Sequence, residues 1–352
     1  MKETHITKET AEKLVEIIIS LKQMPVIVVA QVDPDAIACA VCMTDIIRSY
    51  SSIGSKIIYG GRISHPQNRA IVNRYDLGMV PLANASEEEQ RVYAENPLIL
   101  VDSSCVSDNR VPMLAIAKER LAVIIDHHRN SDVTPQDDQF VLIEDVGACS
   151  TLMMELATQL LHAQLDTATY ALLALGIYTD TKSLTAASAR DFAAYQKATE
   201  LAGGAQVLSS LINYPLPASY FKNLYVALRS QTQEFGTLIA CAGVLDPKDS
   251  DDLSTIADAL IRKDGVSKVF VWGVIGDHKV RISARSTDIT QDLGEFLKAR
   301  FGNGNAGAKL APDGHSEGGA MITLNFAPWL SSGNMSQALE LISARMRELI
   351  FK

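Results

Sequence analysis

The sequence predicts an α/β protein: a parallel sheet with flanking helices in its first part, followed by a smaller α/β unit. Three observations carry this. The short apolar runs 26–30, 98–101 and 123–125 read as strands buried on both faces. Stretches with helical spacing alternate with them. Each run leads into an acid, the layout of an open parallel sheet whose ligands bind beyond the carboxyl ends of its strands.

Taken in order, Leu14, Ile17, Ile18 and Leu21 form the apolar stripe of an opening helix, and Pro25 starts the strand 26–30. That strand runs into Gln31-Val32-Asp33-Pro34-Asp35-Ala36-Ile37-Ala38, where small residues open a helix to about Ser49. Asp35 suits its N-cap, which leaves Asp33 without a role. A strand at 56–59 follows, then a helix entered at 64–68 and ending near Tyr75, then a polar stretch at 84–95. The strand 98–101 leads to Asp102-Ser103-Ser104. A helix is expected over 113–118, and the next strand ends in Asp126-His127-His128. After a strand at 140–143, helices are expected over 150–161, 167–177 and 187–201, with Thr179-Asp180-Thr181 between the last two. Pro215 and Pro217 mark a linker over 211–218, dividing 1–210 from 219–352. The second part reads as a helix at 219–231, a strand at 237–244, a helix at 253–261 and a hairpin of strands at 268–274 and 279–284. A helix at 289–299, a strand at 321–326 and an amphipathic helix at 335–350 complete it.

The chain has 352 residues, 47% of them apolar, which suits two ordinary domain cores. No apolar run approaches the ~20 residues needed to span a bilayer. The first residues lack the charged-then-apolar layout of a secretory signal, so a cytoplasmic protein away from membranes is expected. The five cysteines lie mostly in apolar segments and read as reduced core thiols; Cys39 and Cys42 form a CxxC with no matching second pair. A formal net charge of −9 argues against coating long nucleic acid, which needs a basic surface, and leaves room for a small phosphorylated ligand.

Asp33, Asp35, Asp102, Asp126, His127, His128 and Asp180 all stand at strand or helix ends of the first part. Carboxylates converging on one sheet edge repel one another unless cations neutralise them. A mixed Asp/His set suits Mn²⁺, Fe²⁺ or Co²⁺ more than Ca²⁺, and a structural zinc site would use cysteine. Two ions about 3.5–4 Å apart, bridged by one carboxylate, activate water and stabilise an in-line phosphoryl displacement. Phosphate-ester hydrolysis is the chemistry these residues suggest.

The segments 31–38, Val101-Asp102-Ser103-Ser104, Asp126-His127-His128 and Tyr178-Thr179-Asp180-Thr181 stand in a fixed order. Ser283-Ala284-Arg285-Ser286 and Asp313-Gly314-His315 with Gly318-Gly319-Ala320 follow them. Together they resemble the DHH phosphoesterases with a C-terminal DHHA1 domain. The resemblance implies a parallel-sheet DHH domain, a smaller DHHA1 domain and a cleft between them. It implies two Mn²⁺ ions, with Mg²⁺ or Co²⁺ as other candidates. The first would sit on Asp35 with the amide oxygen of Gln31, the second on His127 and Asp180, and Asp102 would bridge them. His128 would contact phosphate, Asp126 would orient the histidine pair, and the bridging water would be the nucleophile. Ser283, Arg285, Gly314 and His315 would bind substrate from the second domain. The implied substrate is a very short RNA or DNA, or a linear or cyclic dinucleotide, cleaved to 5′-mononucleotides. Conversion of 3′-phosphoadenosine 5′-phosphate to AMP is the related reaction, and a homodimer is in keeping with the build.

Two departures bear on this expectation. With Pro34-Asp35 taken as the family's Pro-Asp, Gln31 stands at the usual histidine and Ile37 at the usual second aspartate, so each metal is expected to lack one ligand. Asp313 stands where the family has glycine, and 303–312 reads as an insertion. A nucleotide-binding sensor without turnover is the alternative these departures allow.

Overall fold

Apolar β-branched segments with no polar side to show to water become the centre of a sheet. Val26–Val29 (β1) and Leu98–Val101 (β4) are buried at every position, and Leu121–Asp126 (β5) at all but one. The computed structural model describes residues 6–63, 65–108, 110–112, 114, 118–128, 131–134, 136, 138–160, 163–276, 279–310, 315–324 and 334–351. They fall into two units, Met1–Ile63 with Gln67–Pro215, and Leu216–Lys352 with Ser64–Pro66.

In the first unit β1, β4 and β5 join Lys56–Tyr59 (β2), Val80–Pro81 (β3) and Phe140–Ile143 (β6) in a parallel sheet of order β3-β2-β1-β4-β5-β6. The chain winds outward from β1 in one direction and from β4 in the other. These neighbours therefore form a topological switch point, and a crevice opens beyond their carboxyl ends. Asp33 and Asp35 follow one strand and Asp102 the other. Alternate strand residues face opposite layers. Ile27, Val29, Ile99, Val123 and Ile125 share a core with α1 (Lys8–Ser20), α2 (Pro34–Tyr50), α5 (Cys149–Gln159) and α6 (Thr167–Asp180). Val26, Val28, Leu98, Leu100 and Ile124 face the other side, with Leu82, Val111 and Leu114. α3 (Pro66–Tyr75), the exposed α4 (Glu87–Glu95), α7 (Ala189–Leu201) and α8 (Ala205–Ile212) complete the unit.

Three differences from the expectation have plain causes. Asp33, not Asp35, caps α2: its carboxylate accepts from Ala36 N at 2.9 Å, because Pro34 occupies the first helical position. α8 takes up the start of the expected linker; its Val207, Leu208, Leu211 and Ile212 make an apolar face between a Gly-Gly pair and two prolines. The helix expected over 113–118 lies largely outside the described residues.

The second unit opens with α9 (Ala218–Ser230). Its sheet has the order β11-β12-β10-β9-β8-β7, from Thr232–Glu234 (β7), Thr237–Leu245 (β8), Lys268–Ile275 (β9), Lys279–Ser286 (β10), Ala306–Leu310 (β11) and Ser316–Thr323 (β12). Only β8 and β9 run parallel, joined by α10 (Asp252–Leu260); the other pairs are antiparallel. α11 (Leu293–Phe301) and α12 (Met335–Phe351) follow. The insertion expected at 303–312 contains edge strand β11. Its Ala-Gly-Ala-Lys composition has low strand propensity, and the pairing is decided by fit against β12. A side chain on Gly318 would come within 2.6 Å of the Gly307 carbonyl oxygen, so glycine permits that fit. No disulfide forms, and four of the five cysteines are buried. Among the described residues no helix is long and apolar enough to cross a membrane.

Candidate metal centre

The first turn of α2 places the Asp35 side chain inside the unit, 1% exposed. Its two oxygens accept from the first amides of α5: Cys149 N to Oδ2 at 2.7 Å and Ser150 N to Oδ1 at 2.8 Å. A carboxylate at a helix N-terminus gains from the helix dipole as well as from the hydrogen bonds. Burial and the neighbouring Asp180 nevertheless raise the Asp35 pKa, against the opposing influence of His127 and Ser150. The turn before α5 is pinned by Asp191, which is fully buried and accepts from Gly147 N, Thr151 Oγ1 and Ser188 N.

That same turn orients His127. The ring nitrogen Nδ1 lies 3.1 Å from the Val146 carbonyl oxygen, so it carries a proton and donates, which turns Nε2 toward the carboxylates. Nε2 faces Asp180 Oδ2 at 3.2 Å and Asp102 Oδ1 at 3.3 Å. Among the described residues neither Nε2 nor Asp102 Oδ1 has a hydrogen-bond partner of good geometry, although both atoms are buried. Nε2 can meet these carboxylates only through a positive charge, either a proton that makes the ring an imidazolium or a bound metal ion that takes the proton's place. Asp102 leaves β4 with φ 54°, a left-handed conformation that aspartate tolerates and that turns its carboxylate into the crevice. Burial first, and then Asp35, push its pKa well above the ordinary carboxylate value. Burial opposes charge on His127, but Asp102 and Asp180 outweigh it and drive the imidazole pKa strongly upward. Asp180 ends α6, and the next turn holds Lys182, Ser183 and Leu184 at φ 51°, 58° and 68°, a strained reversal directly beside the cluster.

Asp126 is fully buried and works from behind. Its Oδ1 accepts from His127 N at 2.8 Å, His128 N at 3.1 Å and His128 Nδ1 at 2.7 Å, and its Oδ2 from Ser104 Oγ at 2.6 Å. Burial favours the neutral acid, yet these donors hold its pKa below the usual value. The His128 ring is thereby fixed with its Nε2 edge directed away from Asp126.

Ligand atoms of Asp35, His127 and Asp180 lie within 4.8 Å of one another, and so do those of Asp102, His127 and His128. The donor set and the two orphaned polar atoms fit a divalent cation. Asp35 thus stands together with His127 and Asp180. Ile37 is fully buried in the apolar core. Gln31 is exposed, and its amide oxygen accepts from Arg110 Nη1 at 2.6 Å. In the second unit, Ser283 and Arg285 lie on one face of β10. The Arg285 guanidinium is taken up by Asp258, at 2.5 Å from Nε, and reaches the Ser283 hydroxyl at 3.3 Å. His315 is exposed just before β12, and Gly314 lies outside the described residues. Gly318 and Gly319 sit within β12, where Gly319 pairs with Ser283.

Sequence reasoning missed the α5 amides, the Val146 carbonyl, Asp191 and Arg110. It also missed Gly176 on α6, where a side chain would collide with the Ser150 hydroxyl and come within 2.8 Å of Asp35 Oδ1. Ala normally stabilises a helix over Gly by about 1 kcal/mol. Here Gly176→Ala is expected instead to displace Asp35 and to weaken Mn²⁺ binding about tenfold or more, read by calorimetric titration. Unchanged affinity would separate Asp35 from the centre.

Residues 25–177 match the DHH family, N-terminal domain. The chain is 28% identical over 289 residues to an uncharacterized protein of Methanocaldococcus jannaschii, MJ1633, covering 80% of this chain and 56% of that one. It is 27% identical over 299 residues to the cyclic-di-AMP phosphodiesterase GdpP of Geobacillus thermodenitrificans, covering 79% of this chain and 43% of GdpP. The chain thus spans about half the length of these curated relatives. The fold is shared with an exopolyphosphatase-related protein from Bacteroides fragilis, with a TM-score of 0.69 at 11% identity over 100% of both chains. The stretch matched to the DHH family holds Asp35, Asp102 and the Asp126-His127-His128 triplet at the end of β5, and Asp180, at the end of α6, follows just beyond it.

Proposed function

We propose that this chain is a metal-dependent phosphoesterase that hydrolyses short oligonucleotides or dinucleotides to 5′-mononucleotides, with 3′-phosphoadenosine 5′-phosphate to AMP as the related reaction. The observation carrying this is the gathering of Asp35, Asp102 and Asp180 around His127, whose Nε2 lies 3.2 and 3.3 Å from two carboxylates. It favours taking Asp33-Pro34-Asp35-Ala36 as the acidic pair of the first motif, two residues from the register that Pro34 suggested. One full ligand set, Asp35, Asp102, His127 and Asp180, then remains, and the sensor reading loses its main support. Mn²⁺ suits this mixed oxygen and nitrogen set best, with Mg²⁺ or Co²⁺ as substitutes. A bound divalent cation supplies Lewis acidity and lowers the pKa of water. Asp126 and Val146 orient the two imidazoles, and His128, its ring held by Asp126, presents its outward edge to a phosphate oxygen.

The substrate class follows from size and charge. A net charge of −9 disfavours long nucleic acid, and the GdpP relative is named for a cyclic dinucleotide. Ser283, Arg285, Gly314 and His315 remain the proposed substrate contacts of the second unit, with the Asp258 carboxylate exchanging for phosphate at Arg285. Purified protein incubated with Mn²⁺ and cyclic di-AMP, a linear dinucleotide, 3′-phosphoadenosine 5′-phosphate or pyrophosphate is expected to release mononucleotide from at least one nucleotide. Tight nucleotide binding without product would establish the sensor instead.

A further inference from the structure

The crevice beyond β1, β2 and β4 holds a cation that the first motif does not predict. Arg110 donates from Nη1 to Gln31 Oε1 at 2.6 Å. It grips Asp108 through Nε at 3.0 and 3.1 Å and through Nη2 at 2.5 Å. Its backbone lies so close to the end of β2 that a side chain on Gly60 would come within 2.7 Å of the Arg110 carbonyl oxygen. The preceding loop is anchored too, with Val106 N and Ser107 N bonded to Asp132 at 2.6 and 3.1 Å. Gln31 lies just beyond β1 and Asp102 just beyond its paired neighbour β4, so the guanidinium stands at the same sheet edge as the candidate centre, on the β1 side.

Three of the five guanidinium N–H donors are engaged, one each on Nε, Nη1 and Nη2; two are left without a partner among the described residues. Gln31 is neutral and gives its oxygen to Arg110, while Asp33 gives an oxygen to Ala36 N, so this side of the centre is poorly equipped for a second divalent ion. A guanidinium is permanently charged and matches phosphate geometry.

We infer that Arg110 serves where a second metal would otherwise stand: the centre holds one divalent cation, and the Arg110 guanidinium binds a non-bridging phosphate oxygen of the substrate. This rests on the phosphoesterase reading. Gln31 and Asp108 aim the fork, and Gly60 permits its approach to the strand ends.

Equilibrium dialysis against Mn²⁺ followed by metal analysis is expected to give one ion per chain, and two tightly held ions would overturn the inference. AMP serves as the probe of phosphate binding to the Mn²⁺-loaded protein. Loss of a charge-assisted hydrogen bond in Arg110→Met is expected to weaken it about tenfold or more with Mn²⁺ stoichiometry retained. Arg110→Lys, or added guanidinium on Arg110→Met, is expected to recover part of the loss. A purely structural Arg110 would give no recovery by guanidinium, and unchanged AMP affinity in Arg110→Met would equally overturn the assignment. Should Arg110→Met not fold, Gln31→Met removes only the aiming acceptor at an exposed position and is expected to weaken AMP binding about threefold, against no change if the inference is wrong. Wild-type protein that binds no Mn²⁺ and releases no mononucleotide would refute the phosphoesterase reading itself. Hydrolysis with two bound ions would refute only the role given to Arg110.

Discussion

Asp102→Ala is expected to lower Mn²⁺-dependent hydrolysis by about three to four orders of magnitude, the loss of several kcal/mol of transition-state stabilisation at 1.36 kcal/mol per decade. Asp102 is 5% exposed in its side chain and directs Oδ1 at Nε2 of His127, while His128 Nδ1 lies 3.9 Å away. It is therefore the carboxylate between the two imidazoles. The same substitution removes a buried acid that repels Asp35, which favours the folded metal-free protein. Placing alanine at φ 54° opposes this by roughly 1 kcal/mol. Fold stability should change little while activity collapses. Steady-state kinetics beside thermal melts of Asp102→Ala and Asp102→Asn check this; hydrolysis within tenfold of wild type would show that Asp102 is not part of the reacting centre.

Removing the metal should abolish product release, and restoring it should stabilise the fold in a pH-dependent manner. Stabilisation by Mn²⁺ at a hundred times its dissociation constant is expected to be about 2.7 kcal/mol. Burial with Asp35 nearby raises the Asp102 pKa, burial with Asp180 nearby raises that of Asp35, and Asp102 and Asp180 hold the proton on His127 against its burial. Each folded-state pKa is above its unfolded value, so the stability these protons contribute is present at low pH and lost as pH rises through the raised values. Metal-free protein should therefore lose stability on going alkaline. A cation must displace those protons, so Mn²⁺ affinity should increase with pH and binding should release protons. Calorimetry in buffers of different ionisation enthalpy measures that release. Affinity independent of pH between about 6 and 8 would contradict the arrangement of the cluster.

What the sequence determined by itself was local. Apolar runs such as Val26–Val29 and Leu98–Val101 could only be buried strands, and acids directly after them had to converge where the strand order reverses. The Asp126-His127-His128 triplet and Asp180 were legible for the same reason: their chemistry and their position at an element end are written within a few residues. Asp33 and Asp35 show where such reading ends. Both follow the same strand, yet one caps α2 and the other is drawn inward by the amides of Cys149 and Ser150, more than a hundred residues along the chain. Arg110 stands beside Gln31 across a separation of 79 residues, and Arg285 is engaged by Asp258 on a different element. Pairings of this kind depend on which helix end or loop the fold brings opposite a side chain. That is decided by packing of the whole unit, and only the tertiary structure could assign Asp35 to the company of His127 and Asp180.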